Sequence, residues 1–294
     1  MQRSILVFGC NGQIGRELLR HARNCAVGFD HARVDICDRE AVARALASCP
    51  PSAIVNAAAF TAVDDAEQHP NEAFLVNGRG PAILAEAAVK AGVPLIHLST
   101  DYVFGGNKRS PYLEGDVMDP ASVYGQSKAV GEDSVRRICA QHLIVRTSWI
   151  FSPHRPNFVH TILDLAAHQS TLKIVDDQIG CPTNAADVAR TILYMIRELR
   201  DDDAWGTYHY CGADAMTRYE FARQIFGVAA NYGVKEPKLL PIASSDYPTA
   251  AKRPSYSVLD AQKIRTRFGI ECRPLLSSLS ECLQAIFNSA PPRD

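Results

Sequence analysis

The 294-residue chain has no apolar run near the roughly 20 residues that a membrane-spanning helix needs. Its opening stretch, MQRSILVFGCNG, is too short in apolar residues for a secretory signal and meets a glycine motif at once. It also lacks a basic run or an aromatic–basic stripe, and with a net charge of −1 nothing predicts a nucleic-acid surface. Paired cysteines are missing too: the nine stand singly at 10, 25, 37, 49, 139, 181, 211, 272 and 282, with no CxxC and no Cys/His set at zinc spacing. No residue is therefore assigned to a metal. Scattered thiols in odd number suit a reducing compartment, and the expected location is the cytoplasm. There is no internal repeat, and only the tail SAPPRD reads as loose.

What is present is 47% hydrophobic residues, enough for a large core, arranged with a regular rhythm. Apolar runs at 4–9, 25–30, 52–59, 93–100 and 142–149 alternate with helical patterns at 12–22, 38–48, 71–92 and 124–140. The run at 38–48 opens on an acidic cap, and the one at 71–92 ends on Gly92. Near-continuous apolar strands alternating with helices predict an α/β fold, a Rossmann-like doubly wound parallel sheet. Residues 1–150 read as an NAD(P)-binding domain. Residues 151–294 read mainly as a smaller C-terminal substrate-binding lobe, with some segments completing the sheet: TLKIVD and GTYHYCG as strands, and helices around 157–168, 185–200 and 217–230. Ligands in such folds bind at the C-terminal edge of the strands.

GCNGQIG follows the first strand and opens the first helix, placing Gly9, Gly12 and Gly15 at GxxGxxG spacing. Glycines there allow a tight turn and close approach of a pyrophosphate to backbone N–H groups at a helix N-terminus. Asp30 ends the second strand, where a carboxylate bonds an adenosine ribose hydroxyl and favours NADH. Arg33, close by, suits the 2′-phosphate of NADPH, so both cofactors stay open. Asp35 and Ile36 follow at the adenine edge, with helix capping as the alternative for these acids.

Tyr124 and Lys128 in SVYGQSKAVGE stand four apart, on one face of a helix. Such a pair is common on polar helix faces, but here it faces the end of the fourth strand, STDYVF, beside the expected nicotinamide. A lysine ammonium and an oxidised nicotinamide favour the phenolate and lower the tyrosine pKa. Hydride transfer to a carbonyl leaves an alkoxide that needs a proton; Tyr124 is the candidate donor, and Thr100 can bond the same oxygen.

Taken together, the glycine turn, a threonine ending the fourth strand and YxxxK resemble the extended short-chain dehydrogenase/reductase family. Within it GCNGQIGREL, NAAAFTAVDDAE, STDYVF, VYGQSKAVGE, RTSWIF, DQIGCPT and YPTAAKRPSYSVL are similar, in order, to the motifs of the dTDP-4-dehydrorhamnose reductases. The resemblance covers nearly the whole chain. It implies reduction of dTDP-4-dehydro-L-rhamnose to dTDP-L-rhamnose by hydride transfer from NADPH or NADH to C4. It implies that Gly12, Gln13 and Ile14 touch the cofactor phosphates, Asp30, Asp35 and Ile36 surround the adenosine, and Ala59, Phe60 and Thr61 run along the dinucleotide. Tyr124 would be the proton donor, Lys128 its partner on the nicotinamide ribose and Thr100 the tuning hydroxyl. Thr100, Asp101 and Trp149 would hold the dTDP-sugar, with Asn157, Gln178 and Arg253 added to that task. The alternatives are a cap for Asp101, a core role for Trp149 and a solvated charge for Arg253; His97 reads as a core histidine.

Related dehydratases resemble STDEVYG, with an acid/base pair for elimination; here Tyr102 stands where they have glutamate, which favours simple carbonyl reduction. A reductase or epimerase of another nucleotide-linked dehydro-sugar is the neighbouring alternative. FSPHRPNF, stiffened by Pro153 and Pro156, departs from the family's glycine-containing loop. Some members form dimers bridged by Mg2+; Glu17 matches the first acid, but Ala186 replaces the second, so a metal-bridged dimer is doubtful and monomer or homodimer is expected. The regulatory subunit of methionine adenosyltransferase is similar to the same family and keeps the tyrosine–lysine pair, which gives a non-catalytic NADP-binding alternative.

Overall fold

The computed structural model describes residues 4–154, 156–199 and 204–289. The loose-tail expectation for SAPPRD falls almost wholly outside them.

Strands β1 (Ser4–Phe8), β2 (Ala26–Phe29), β3 (Pro51–Asn56), β4 (Leu95–Thr100) and β5 (His142–Thr147) alternate with helices α1 (Gln13–Ala22), α2 (Arg39–Ser48), α3 (Val63–Gln68), α4 (Pro70–Phe74), α5 (Gly80–Ala91) and α6 (Val123–Ile138). The second half supplies β6 (Ile150–Phe151), α7 (Phe158–His168), β7 (Thr171–Val175), β8 (Ile179–Gly180), β9 (Thr183–Asn184) and α8 (Ala185–Glu198). It continues with β10 (Gly206–His209), β11 (Met216–Thr217), α9 (Arg218–Ala229), β12 (Lys238–Ile242), α10 (Gln262–Phe268) and α11 (Leu275–Ser289).

The central sheet has six parallel strands in the order β10-β5-β4-β3-β1-β2. The period of two sorts each strand between its faces. Leu6, Phe8, Ile54, Leu95 and Ile144 pack with Val42, Leu84 and Val135 from α2, α5 and α6. Val7, Val55, Ile96, Leu143 and Val145 pack with Leu18, Val188, Ile192 and Ile264 from α1, α8 and α10. Both faces are thus covered, the condition that makes these strands read as unbroken apolar runs, and the fold is the doubly wound Rossmann-like α/β class. A separate apolar cluster unites α7, β7, α9 and α11 through Ile162, Leu172, Phe221, Phe226 and Leu279. Strand order reverses around β1, whose neighbours are β2 and β3, and this opens the crevice at the strand ends.

Local signals behave as their chemistry requires. Asp38 caps α2 by accepting from the Glu40 and Ala41 N–H groups, and Gly92, at φ 64°, closes α5. The single helix expected over 71–92 is interrupted by a π turn at Leu75–Arg79, which buries Asn77. Strand β3 stops at Asn56, short of 59, because the Asn56 carboxamide turns the chain by accepting from the Ala58 N–H. Strand β5 stops at Thr147 because Trp149 takes a left-handed φ of 44°. Helices α3, α10 and α11 and strand β12 carry no signal singled out in the sequence.

Candidate active site

The glycine turn is fixed by backbone contacts. Gly9 has φ 81°, and a Cβ there would lie 2.4 Å from the Ala58 nitrogen; one on Gly15 would lie 2.2 Å from the Gly9 carbonyl. The turn is pinned to the second strand by the Gly9 N–H, which donates to the Phe29 carbonyl at 2.8 Å. Gly12 is the N-cap of α1 with no side chain over its free N–H groups, an open anion cradle. The backbone therefore fits a dinucleotide pyrophosphate.

A cleft of about 680 Å³ runs from this turn across the strand ends. Gly9, Gly12, Gln13, Ile14, Asp30, Asp35, Ile36, Ala59, Phe60 and Thr61 all line it. Gly15 does not; it packs the helix onto the turn. Asp30 accepts from the Asn11 amide at 2.9 Å and from the Arg33 N–H at 3.0 Å, while the exposed Arg33 lies over the Phe29 ring. Asp35 accepts from the Cys37 N–H at 2.8 Å, and Ile36 buries its side chain against Gly80. The Gln13 carboxamide oxygen is taken by the Ser152 hydroxyl at 2.7 Å and the Asn157 amide at 3.0 Å. Asn77, which the sequence reading missed, bonds both the N–H and the carbonyl of Phe60 and donates to the Ser127 hydroxyl, tying the loop after β3 to α6.

At the cleft's far end Thr100, Asp101, Tyr124 and Lys128 converge. The Thr100 hydroxyl donates to Asp101 at 3.0 Å and accepts from the Tyr102 N–H at 3.1 Å. Ser122 caps α6 by accepting from the Gly125 N–H, so the first turn of the helix carries Tyr124 to the end of β4. Burial pushes the Tyr124 phenol well above its ordinary pKa; the Thr100 hydroxyl opposes this, and Asp101 and Tyr102 reinforce it. Burial lowers Lys128 to about 8, against the carboxylate of Glu132, and its ammonium donates to the Leu98 carbonyl at 2.6 Å. The lowering of the tyrosine expected from the lysine is not found: desolvation dominates the phenol, and one N–H of the Lys128 ammonium is turned to the Leu98 carbonyl. Asp101, wholly buried, is raised to about 6 by burial, with the Ser257 and Thr100 hydroxyls acting against the shift.

Tyr102, whose place in STDYVF leads to the expectation of reduction over elimination, packs edge-on against Tyr124 with ring centroids 5.6 Å apart. Its phenol is raised by burial and offers no base. His97 is fully buried and held neutral, with Nδ1 paired to the Asn56 amide at 3.1 Å, a core histidine as read.

The remaining sequence candidates separate. Trp149 lines the cleft, held at its left-handed φ against Gly180, where a Cβ would lie 2.4 Å from the indole. Gln178 and Arg253 line a second cavity of about 1210 Å³ between α7, β7 and the 244–253 loop. Gln178 donates to the Ser244 hydroxyl at 2.9 Å. Arg253 is paired with Asp64 at 2.6 and 3.2 Å, so the cation expected for a diphosphate is already balanced. Asn157 lines neither cavity, contrary to expectation. Its oxygen caps α7, and its amide donates to Gln13, Ser152 and His154 because it sits at the helix start behind the glycine turn. Arg218 lines both cavities and was not read from the sequence. The Thr217–Glu220 capping box marks the start of α9 but says nothing of what that start faces.

The residues at the proposed magnesium position do not fit a bridging ion. The Glu17 carboxylate is buried and taken by Arg20 at 2.6 Å and His154 at 2.9 Å, and Ala186 offers no ligand. Among the described residues no group of three His, Cys, Asp or Glu side chains gathers to hold a metal, and no helix is long and apolar enough to cross a membrane.

The family described as the RmlD substrate binding domain matches residues 2–288. A dTDP-4-dehydrorhamnose reductase of Aggregatibacter actinomycetemcomitans is 39% identical over 275 residues, covering 91% of this chain and 94% of the relative. The crystal structure of a dTDP-4-dehydrorhamnose reductase from Clostridium acetobutylicum superposes with a TM-score of 0.90 at 35% identity, covering 96% of this chain and 98% of that one. The Bacillus anthracis reductase, solved in complex with NADP, also gives 0.90, at 30% identity over 97% of this chain and 99% of that one. A Rossmann sheet with a glycine turn, a Thr–Tyr–Lys set at its strand ends and this match along nearly its whole length make the chain a member of the dTDP-4-dehydrorhamnose reductase family, oxidoreductases of the extended short-chain dehydrogenase/reductase type.

Proposed function

We propose that the chain reduces the C4 carbonyl of dTDP-4-dehydro-L-rhamnose to give dTDP-L-rhamnose in the cytoplasm. The reading rests on one observation above others: Thr100, Tyr124 and Lys128 meet at the end of the cleft that begins at the glycine turn. Residues 1–150 carry the cofactor in this reading, and 151–294 mainly hold the sugar nucleotide. When bound, the reduced nicotinamide supplies the hydride. Tyr124 holds the carbonyl oxygen and gives its proton to the alkoxide that forms, with the Thr100 hydroxyl beside it tuning the phenol. A phenol kept protonated by burial arrives in the donor form. The Lys128 ammonium, near the developing phenolate, stabilises the charge left behind. Asp101 orients the Thr100 hydroxyl. With deuterium carried on the transferring position of NADPH, the label is expected at C4 of the product sugar by NMR; label elsewhere, or none, would overturn the reaction.

Two outcomes follow from the charges. Lys128, with its pKa lowered to about 8, is cationic below that pH and neutral above it. The value of kcat/KM for reduction is therefore expected to fall as pH rises through about 8, and the Lys128→Met variant to be slow but lack that limb. A profile with the same limb in both proteins contradicts the assignment. Arg33, exposed beside Asp30, suits a 2′-phosphate. Its replacement by alanine is expected to raise KM for NADPH by about tenfold and leave that for NADH nearly unchanged. Equal effects on both would remove Arg33 from the cofactor site.

A further inference from the structure

Arg218 is the first residue of α9, and its guanidinium lies over the Trp149 indole, 3.6 Å from the ring centroid, with Phe158 at 5.4 Å. Trp149 is itself immobilised by its left-handed backbone and by Gly180. A stacked guanidinium gives its face to the ring and keeps the N–H donors around its edge. Among the described residues none forms a hydrogen bond or ion pair with those donors; Asp101 and Tyr102 act on Arg218 only through the field. Arg218 stands where the cofactor cleft meets the larger cavity, lining both. The contrast with Arg253, balanced by Asp64, is plain. Lys173 and Lys252 also line the larger cavity, but both are exposed, and a solvated ammonium on a flexible stem makes a weaker anchor than a planar guanidinium held in place.

We infer that Arg218, fixed by Trp149 at the junction of the two cavities, is a substrate-binding residue that takes the diphosphate of the nucleotide sugar. A substrate that puts its sugar carbonyl at Tyr124 and its nucleoside in the larger cavity carries its diphosphate across this junction. The guanidinium edge then makes charge-assisted hydrogen bonds to phosphate oxygens, with Trp149 as the platform beneath Arg218. The inference rests on the reading of the substrate as a nucleotide sugar.

Calorimetric titration of the full chain with dTDP, thymidine and NADPH tests it without turnover. In Arg218→Met the affinity for dTDP is expected to fall by at least about tenfold, with thymidine and NADPH within about twofold of wild type. Arg218→Lys, which keeps the charge and loses the planar fork, is expected between the two and guards against a misfolded methionine variant. Unchanged dTDP affinity in Arg218→Met, an equal loss for dTDP and thymidine, or a wild-type chain that binds dTDP no better than thymidine would each overturn the assignment. A chain that shows the predicted differential loss yet fails to reduce the dehydro-sugar would refute the reductase reading and leave this one standing.

Discussion

The Tyr124→Phe variant is expected to lose about 10²- to 10⁴-fold in kcat while binding NADPH almost as wild type. The phenyl ring keeps the packing: it retains the edge-on contact with Tyr102 and the helix turn capped by Ser122. What disappears is one hydroxyl beside Thr100 and with it the only proposed route for a proton to the alkoxide. Thr100 is no substitute, because its hydrogen is already directed at Asp101. Since the phenol is held protonated by burial, it is the acid form, not the phenolate, that the variant lacks. The loss should therefore persist from pH 6 to pH 8 and not be recovered by acidifying the assay. Steady-state rates with a parallel NADPH titration check this; a variant with normal kcat would remove Tyr124 from the chemistry.

Glu132→Ala is expected to cost about 3–5 kcal/mol of stability, because it strands a buried charge. Glu132 is fully buried on α6, one turn after Lys128. It accepts two bonds from the equally buried Arg146 on β5, at 2.9 and 2.7 Å, and a third from Arg136 at 2.5 Å. Without it Arg146 keeps, among the described residues, only the long hydrogen bonds to the Glu114 carbonyl and His209, at 3.3 and 3.4 Å, and the face of the Phe104 ring, none of which carries a negative charge. The same carboxylate raises the Lys128 pKa against burial, so the variant's lysine should lose its proton at lower pH and its rate limb should move down with it. Glu132→Gln keeps acceptor geometry and loses the charge, and is expected to be less destabilised. Thermal and denaturant unfolding of both variants checks the order; a Glu132→Ala protein as stable as wild type would mean that the buried pair does not hold α6 on the sheet.

The parts of this molecule legible in the sequence are those fixed by local chemistry. Strand β1 and the glycine turn are visible because backbone closeness at Gly9 and Gly15 admits no side chain. The end of α5 is visible at Gly92 and the start of α2 at Asp38 because caps obey short-range rules. The Tyr124–Lys128 pair is visible because its partners lie one helical turn apart. Long-range partners are not. Nothing near Arg253 announces Asp64, 189 positions away, and nothing near Asn157 announces Gln13, 144 away. The π turn that brings Asn77 to Phe60 and Ser127 hides in the sequence because small and apolar residues crowd both sides of it, so the phase shift of one extra residue leaves no clear mark in the pattern. Arg218 reads as an ordinary helix-start arginine until the left-handed Trp149 is placed beneath it.

The most direct test of the central claim is NADPH oxidation at 340 nm by the purified chain with dTDP-4-dehydro-L-rhamnose generated in place. The account predicts oxidation that depends on the dehydro-sugar, yields dTDP-L-rhamnose, and is almost lost in Tyr124→Phe. Silence from folded protein that still binds NADPH and dTDP would contradict it.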